Sequence, residues 1–331
     1  MTDAVVTFDL EAVAPIPSAV SIGFFDGVHR GHQQIIGQAL AHARTHGLRS
    51  VVVTFDRHPL QIIRPERAPP LLMTTARRAR TLAALGVDLV VVLTFDARLR
   101  ELDAEAFIVQ VLRSSLDARH LVVGENFRFG HRAAGDIALL EQVGARDGFT
   151  ADGVPLLAVA GQPISSTRIR AALADGDVST AAQLLGRPYV IDGEVIHGDH
   201  RGRGLGYATA NLAFDPHCVI PAPGVYAGVL TLPDGRVLPA VTSIGTNPTF
   251  NGSKLRVESH ALDFDEDLYG LDVSVDLRRY LRGQQRFPTV DALVAAMDAD
   301  VAHAREALAS QDPPPGGRVW GAEPGSAEAV H

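Results

Sequence analysis

Between residues 19 and 185, short β-branched and aliphatic runs alternate with stretches of helical periodicity, and this alternation restricts the fold more than any other feature. AVSIGFF (19–25), SVVVTF (50–55), DLVVVLTF (88–95), HLVVGEN (120–126) and VPLLAVAG (154–161) read as strands. They are nearly continuous apolar runs, as strands covered on both faces are. Helical segments fall near 32–46, 75–85, 103–117 and 135–146, with Gly47 and Gly86 as stop signals. Strand and helix alternating at this spacing predict an α/β domain with a doubly wound parallel sheet. Ligands of such sheets bind beyond the carboxyl ends of the strands.

The pattern changes near Arg187-Pro188. Two short helical pieces (167–175 and 177–185) lead into GEVIHG, GVYAGVLTL, RVLPAVTSIG, KLRVESHALDF and LDVSVDLRRYL, and Pro233-Asp234-Gly235 marks a hairpin. Short strands with turn signals predict an antiparallel β-barrel, closed or half-open, that hides their edges. One long helix (289–309) carries apolar residues at 290, 293, 294, 297, 301, 304 and 308, giving it one apolar face. The expected organisation is a first domain over 1–185, a second over 186–310 and a disordered tail over 311–331, rich in Pro and Gly.

Composition removes several functions. Of the 30 basic residues only Lys254 is a lysine, so no Gly-Lys pair exists to build a P-loop. The single cysteine, Cys218, excludes an intrachain disulfide framework and suits a reducing cytoplasm. Asp3, Asp9 and Glu11 stand where a signal peptide would carry basic residues, and no apolar run is long enough to span a bilayer. A net charge of −8 argues against bulk nucleic-acid binding and leaves local arginines available for phosphate.

The sharpest motif, Gly23-Phe24-Phe25-Asp26-Gly27-Val28-His29-Arg30-Gly31-His32, sits between a strand and a helix. His29 and His32, three apart at a helix start, can face one point beside free helix N–H groups. That describes an anion site built without lysine, with Gly27 and Gly31 admitting a phosphate chain close to the backbone. Read alone, the pair also fits two surface histidines. Ile164-Ser165-Ser166-Thr167-Arg168-Ile169-Arg170 follows a predicted strand and opens a helix. Its hydroxyls suit an N-cap, and Arg168 suits either bidentate anion binding or solvent. Thr54-Phe55-Asp56-Arg57-His58-Pro59 and Gly124-Glu125-Asn126-Phe127-Arg128-Phe129-Gly130 also follow strands. In them a lone His suits a structural role, and two Phe at period two suit a planar ligand or the core equally.

In the second half, His197 opens a glycine-rich run through Gly202, Gly204 and Gly206 that ends in Tyr207-Ala208-Thr209-Ala210-Asn211. Glycine-rich loops expose amides to phosphates or simply connect elements. Thr209 and Asn211, two apart on an extended strand, face one side; their oxygens suit Mg²⁺ shared with ATP. Glu258 lies on a predicted strand, where a barrel interior would hold it as a general base, or solvent would face it.

His29-x-Gly-His32 with Ser165-Ser166-Thr167-Arg168 resembles the signature of the nucleotidylyltransferase superfamily, a Rossmann-like fold. Taken with T-F-D-R-H-P, G-E-N-F-R-F-G and A-T-A-N followed by Glu258, the chain resembles prokaryotic bifunctional riboflavin kinase/FAD synthetase from about residue 19 to 309. The resemblance implies two Mg-ATP-dependent reactions: riboflavin to FMN, then FMN to FAD with release of pyrophosphate. It implies that His29 and His32 contact the ATP phosphates, with Gly23, Phe24, Asp26, Gly27 and Gly31 in the same loop. Ser165, Ser166, Thr167 and Arg168 hold the pyrophosphate, and Asn126, His58 and Arg282 lie by the flavin. Thr209 and Asn211 bind Mg-ATP, and Glu258 takes the riboflavin 5′-hydroxyl proton. Riboflavin, FMN and ATP are the expected partners, with no nucleic acid or membrane; an oligomer is compatible.

Two departures from the family pattern bear on the kinase half. Ala208 stands where the family has Pro, and Gly204 where Thr is common; both loosen the loop, with an expected loss of about tenfold in rate. Arg57 replaces a common Pro in the first half. The alternatives are a monofunctional adenylyltransferase with a weakened kinase module and a non-catalytic flavin-binding regulator.

Overall fold

The computed structural model describes residues 4–197, 209–249 and 252–309, without the side chains of 247–254. Gly202, Gly204, Gly206, Ala208 and the 311–331 tail lie outside the described residues. The chain forms two compact units, Met1–Ser166 and Thr167–His331.

In the first unit, strands β1 (Val5–Thr7), β2 (Ser18–Ile22), β3 (Arg49–Phe55), β4 (Leu89–Leu93), β5 (Ala118–Gly124) and β6 (Thr150–Val154) form one sheet in the order β1-β4-β3-β2-β5-β6. Every pairing is parallel. Alternate side chains fill two cores, as a sheet covered on both faces requires. Val20, Val51, Val53 and Val91 pack with Ile108, Leu112 and Leu140, while Val52, Val90 and Val92 pack with Ile36 and Leu82. Helices α1 (Arg30–His46), α2 (Pro59–Ile63), α3 (Thr75–Ala83), α4 (Ala97–Glu101), α5 (Ala104–Phe107, continued as a π-helix over Ile108–Ser115) and α6 (Ile137–Asp147) connect the strands. Thr74, Asp96, Asp103 and Asp136 accept N-cap hydrogen bonds. Gly47, at φ +64°, closes α1 in a conformation that costs a Cβ-bearing residue.

The sequence places the last sheet strand wrongly. The partner of β5 is β6, and only Val154 of VPLLAVAG belongs to it. The rest of that run forms a small hairpin, β7 (Ala158–Val159) with β8 (Gln162–Pro163), turned by Ala160 and Gly161 at positive φ. The Ser-Ser-Thr-Arg motif therefore follows a hairpin rather than a sheet strand.

In the second unit, α7 (Ser166–Ala174) begins at the last residue of the first unit and is followed by α8 (Val178–Leu185). These helices pack with the barrel: the Ala222 N–H donates to the Leu173 carbonyl at 2.9 Å. The barrel is closed, in the order β10 (Ala210–Phe214), β13 (Gly252–Ala261), β12 (Val237–Thr249), β11 (Gly224–Thr231), β14 (Asp272–Arg282) and β9 (Tyr189–Ile196). Pro233-Asp234-Gly235 makes the expected β11–β12 turn, with Gly235 at φ +87°. Helix α9 (Val290–Ala309) lays Ala304 and Ala307 against Ala227, Val241 and Leu281. Its apolar face turns inward except at the exposed Val290, and the buried stripe also contains Asp300.

Candidate active sites

β3 and β5 flank β2 on opposite sides, so the connection leaving β2 and the one leaving β5 diverge. This is the switch point at which open α/β sheets form a ligand crevice. Gly23 to His29 lie on the β2 side of it, and Glu125 and Asn126 on the β5 side.

The β2 loop is tightly wound: Phe25, Gly27 and Val28 all have positive φ, at 53°, 80° and 40°. For Phe25 and especially the β-branched Val28 this is stored strain, held by the surroundings. Gly23 is small because the Phe25 ring occupies the place its Cβ would need, 2.8 Å away. Asp26 is buried, and both its carboxylate oxygens accept the Leu72 N–H, at 2.9 and 3.1 Å. It anchors the loop from within.

His29 caps α1: its Nδ1 accepts the His32 N–H at 3.3 Å, which places the ring proton on Nε2. The two imidazoles stack at 3.5 Å between centroids and 18° between planes, and the Phe25 ring meets His32 edge-on. Gly31 serves this stack, since a Cβ there would sit 3.3 Å from the His29 ring. The Ser166 hydroxyl donates to the Asp26 carbonyl at 3.0 Å, joining the Ser-Ser-Thr-Arg motif to the histidine loop. Ser165 precedes α7; Thr167 and Arg168 follow in its first turn, within the second unit.

His58 is the N-cap of α2, in a reciprocal capping box with Gln61, and its ring meets the edge of Phe24 at 4.9 Å. Burial pushes the Asp56 carboxyl up, but hydrogen bonds from Arg57 and the Phe95 N–H outweigh this and leave it lowered. Asn126 is exposed on the turn after β5. Phe127 and Phe129 stack at 5.4 Å; Phe129 is buried in the core and the half-buried Phe127 packs against it.

In the barrel, Asn211 is directly opposite Glu258, and Glu258 is directly opposite Ser243. Directly paired residues point to the same face with Cβ atoms about 5 Å apart. Thr209, two before Asn211, continues that face along the chain. The face is the outer one, which decides between the two positions the sequence left open for Glu258. Val257 and Ser259 fill the interior, where Ser259 and Thr242 hydroxyls are hydrogen-bonded at 3.1 Å, and Glu258 alternates with them. Its carboxylate is half-buried, 3.8 Å from Arg256. The Gln284 amide donates to Ser243 Oγ at 3.0 Å and the Ile244 carbonyl at 2.8 Å, bordering the same patch.

Arg282 lies farther along the sheet from Glu258. Val225 and Ser243 separate it from Glu258 along the pairing register, three strand spacings or about 14 Å. Its guanidinium forms a two-pronged pair with Asp300 of α9, at 2.8 and 2.7 Å. Ser243 and Gln284 were not legible as neighbours of Glu258, because strand register is not written in any one strand, whereas Arg256, two residues before it on the same strand, shares its face by period two.

Known proteins match both units. A family model described as FAD synthetase matches residues 12–168, and one described as riboflavin kinase matches 185–308. A bifunctional riboflavin kinase/FMN adenylyltransferase of Pseudomonas fluorescens is 42% identical over 286 residues, 86% of this chain and 91% of its own. The protein of the same description from Escherichia coli K12 is 39% identical, over 87% of this chain and 91% of its own. A crystal structure described as a macrolide-efflux protein from Streptococcus pneumoniae aligns with a TM-score of 0.82 at 31% identity, covering 92% of this chain and 99% of that one. Among the described residues no helix is long and apolar enough to cross a membrane. The two matched modules, in this order over nearly the whole chain, make it a member of the bifunctional riboflavin kinase/FMN adenylyltransferase family.

Proposed function

We propose that each of the two matched modules, 12–168 and 185–308, carries one of the family's two reactions, with ATP, riboflavin and FMN as substrates: phosphorylation of riboflavin at Thr209, Asn211 and Glu258, and adenylylation of FMN at the switch point around His29 and His32. The direct pairing of Asn211 with Glu258 carries the first assignment.

In the kinase reaction the riboflavin 5′-hydroxyl oxygen bonds to the γ-phosphorus of ATP, the bond to the β–γ bridging oxygen breaks and ADP leaves. Glu258 accepts the hydroxyl proton, and Arg256 stands beside its carboxylate. Thr209 and Asn211 offer a hydroxyl and an amide oxygen, a donor set that fits Mg²⁺ completing its shell with ATP oxygens and water. Bound there, Mg²⁺ would neutralise phosphate charge.

In the adenylyl transfer an FMN phosphate oxygen bonds to the α-phosphorus of ATP, and the bond from that phosphorus to the α–β bridging oxygen breaks, releasing pyrophosphate. Positioning and charge stabilisation do most of this work. The His29 Nε2–H, the His32 ring and the amides at the start of α1 are directed to the phosphate oxygens. The reading extends along the second motif through Ser165, Ser166, Thr167 and Arg168 for the pyrophosphate, and to Asn126 and His58 for the flavin. A single cysteine suits work in the reducing cytoplasm.

The test is to incubate the protein with riboflavin, ATP and Mg²⁺ and resolve riboflavin, FMN and FAD by chromatography. FMN followed by FAD is expected, and chelation of the metal should stop FMN formation. FAD from supplied FMN without any FMN from riboflavin would contradict the two-activity reading.

A further inference from the structure

Arg78 is the largest fully buried side chain of the described residues, at 0% exposure. Burying a guanidinium is costly unless its surroundings compensate it, so its place in the fold calls for a physical reason. It lies on α3, and its guanidinium carbon sits 4.3 Å from the centroid of the Phe24 ring. Nη2 donates to the Phe55 carbonyl at the end of β3 and approaches Thr75 Oγ1 at 3.4 Å.

Those partners connect three loops at the carboxyl edge of the sheet. The Phe24 carbonyl accepts from Thr54 Oγ1 at 3.0 Å, and the Phe24 ring carries His58 on its edge. Thr75 Oγ1 donates to the Asp56 carbonyl at 2.5 Å, and the Asp56 carboxylate accepts the Phe95 N–H beyond β4. Arg78 thus touches the loop after β2 through Phe24 and the end of β3 through Phe55. Through Thr75 and Asp56 it reaches the loop after β4.

We propose that Arg78 is a positioning residue for adenylyl transfer, holding Phe24, and with it the Gly23–His29 loop and His58, in the geometry that receives the ATP phosphates. The proposal rests on the reading of that loop as the phosphate site. A planar fork stacked on a ring while bonding to a backbone carbonyl is a task for arginine; lysine keeps the charge and loses the plane. A loop misplaced by an ångström loses transition-state contacts more than ground-state binding.

The experiment is steady-state FAD formation by the full chain carrying Arg78→Lys, with FMN formation from riboflavin measured in the same preparation as an internal control. The expected result is a fall in kcat for FAD formation of about tenfold, with the KM for ATP within about threefold of wild type and FMN formation unchanged. Phe24→Leu should give a similar loss, and the double variant should lose less than the product of the two. A wild-type kcat in Arg78→Lys, or equal losses of both activities, overturns the proposal. The His29→Ala/His32→Ala variant is assayed beside it: if that variant still makes FAD, the phosphate-site reading has failed. If it does not and Arg78→Lys is normal, only the role of Arg78 has failed.

Discussion

Ser166 Oγ donates a hydrogen bond to the backbone carbonyl of Asp26 at 3.0 Å, across 140 residues of chain. Ser166, at the start of α7, is therefore tied to the histidine loop. Asp26 is fixed from the other side by the Leu72 N–H, so the carbonyl that Ser166 meets is already held. Ser166→Ala should cost about 1 kcal/mol of stability, the net worth of an ordinary hydrogen bond, and reduce FAD formation about tenfold with FMN formation intact. Product chromatography with a thermal melt checks both halves of the expectation.

Gly31 gives a more selective probe of the histidine stack. A methyl at this position would approach the His29 ring to 3.3 Å, tighter than most real contacts, while its next neighbour, Leu157 Cβ at 4.0 Å, is at ordinary contact distance. Gly31→Ala is therefore expected to leave the melting temperature nearly unchanged and to lower FAD formation by about tenfold through displacement of the ring. Kinetics of FAD formation beside a thermal melt separate the two effects.

The Arg282–Asp300 pair is a strut between β14 and α9, with the Asp300 side chain only 6% exposed. Removing Asp300 leaves the Arg282 guanidinium, itself 22% exposed, without its charged partner, so Asp300→Ala should cost about 1.5–3 kcal/mol by denaturant titration. Measured below its melting transition, the variant should keep its KM for riboflavin within about twofold, since Arg282 is spent on Asp300. A riboflavin KM that rises strongly would return Arg282 to the flavin.

At the other end of α1, His42 stacks on His46 at 4.0 Å and on His120 at 3.5 Å. His120 also meets Thr150 Oγ1 at 2.7 Å and the Asp152 carboxylate at 3.4 Å. Burial, then neighbouring imidazoles, hold His42 and His120 below the usual histidine value, and Asp152 only partly offsets this. With folded-state values depressed, the unfolded chain binds more protons as pH falls below about 6.5, so this stabilisation is present above that pH and lost beneath it. Melting temperature should drop between pH 7 and 5.5, and His120→Gln should flatten the drop. An equal slope in the variant would remove the stack as its cause.

Much of the fold is legible because β2 to β5 are buried on both faces and hardly need a partner to be recognised. β6 escapes because Thr150–Val154 is polar and mostly exposed at a sheet edge, while the more apolar VPLLAVAG folds into a hairpin. β1 is missed for a similar reason: three residues at the opposite edge, Val5 and Val6 exposed. Period two placed Glu258 on one face of its strand but left the face undecided. Val257 fits either side, and only the Thr242–Ser259 hydrogen bond explains why a serine, rather than the glutamate, points inward. His29, His32, Ser166, Asn211 and Glu258 were visible as chemistry-bearing types at informative spacings. Arg78 was not, because in Thr-Thr-Ala-Arg-Arg-Ala-Arg a buried guanidinium and a solvated one look alike.

The central claim is that two separate sites act on one flavin in turn. It is tested most directly by following riboflavin, FMN and FAD together in Glu258→Gln and in His29→Ala/His32→Ala. Glu258→Gln should form no FMN from riboflavin yet convert supplied FMN to FAD at the wild-type rate, and the double histidine variant should accumulate FMN and form no FAD. Loss of both activities in either folded variant would contradict the account.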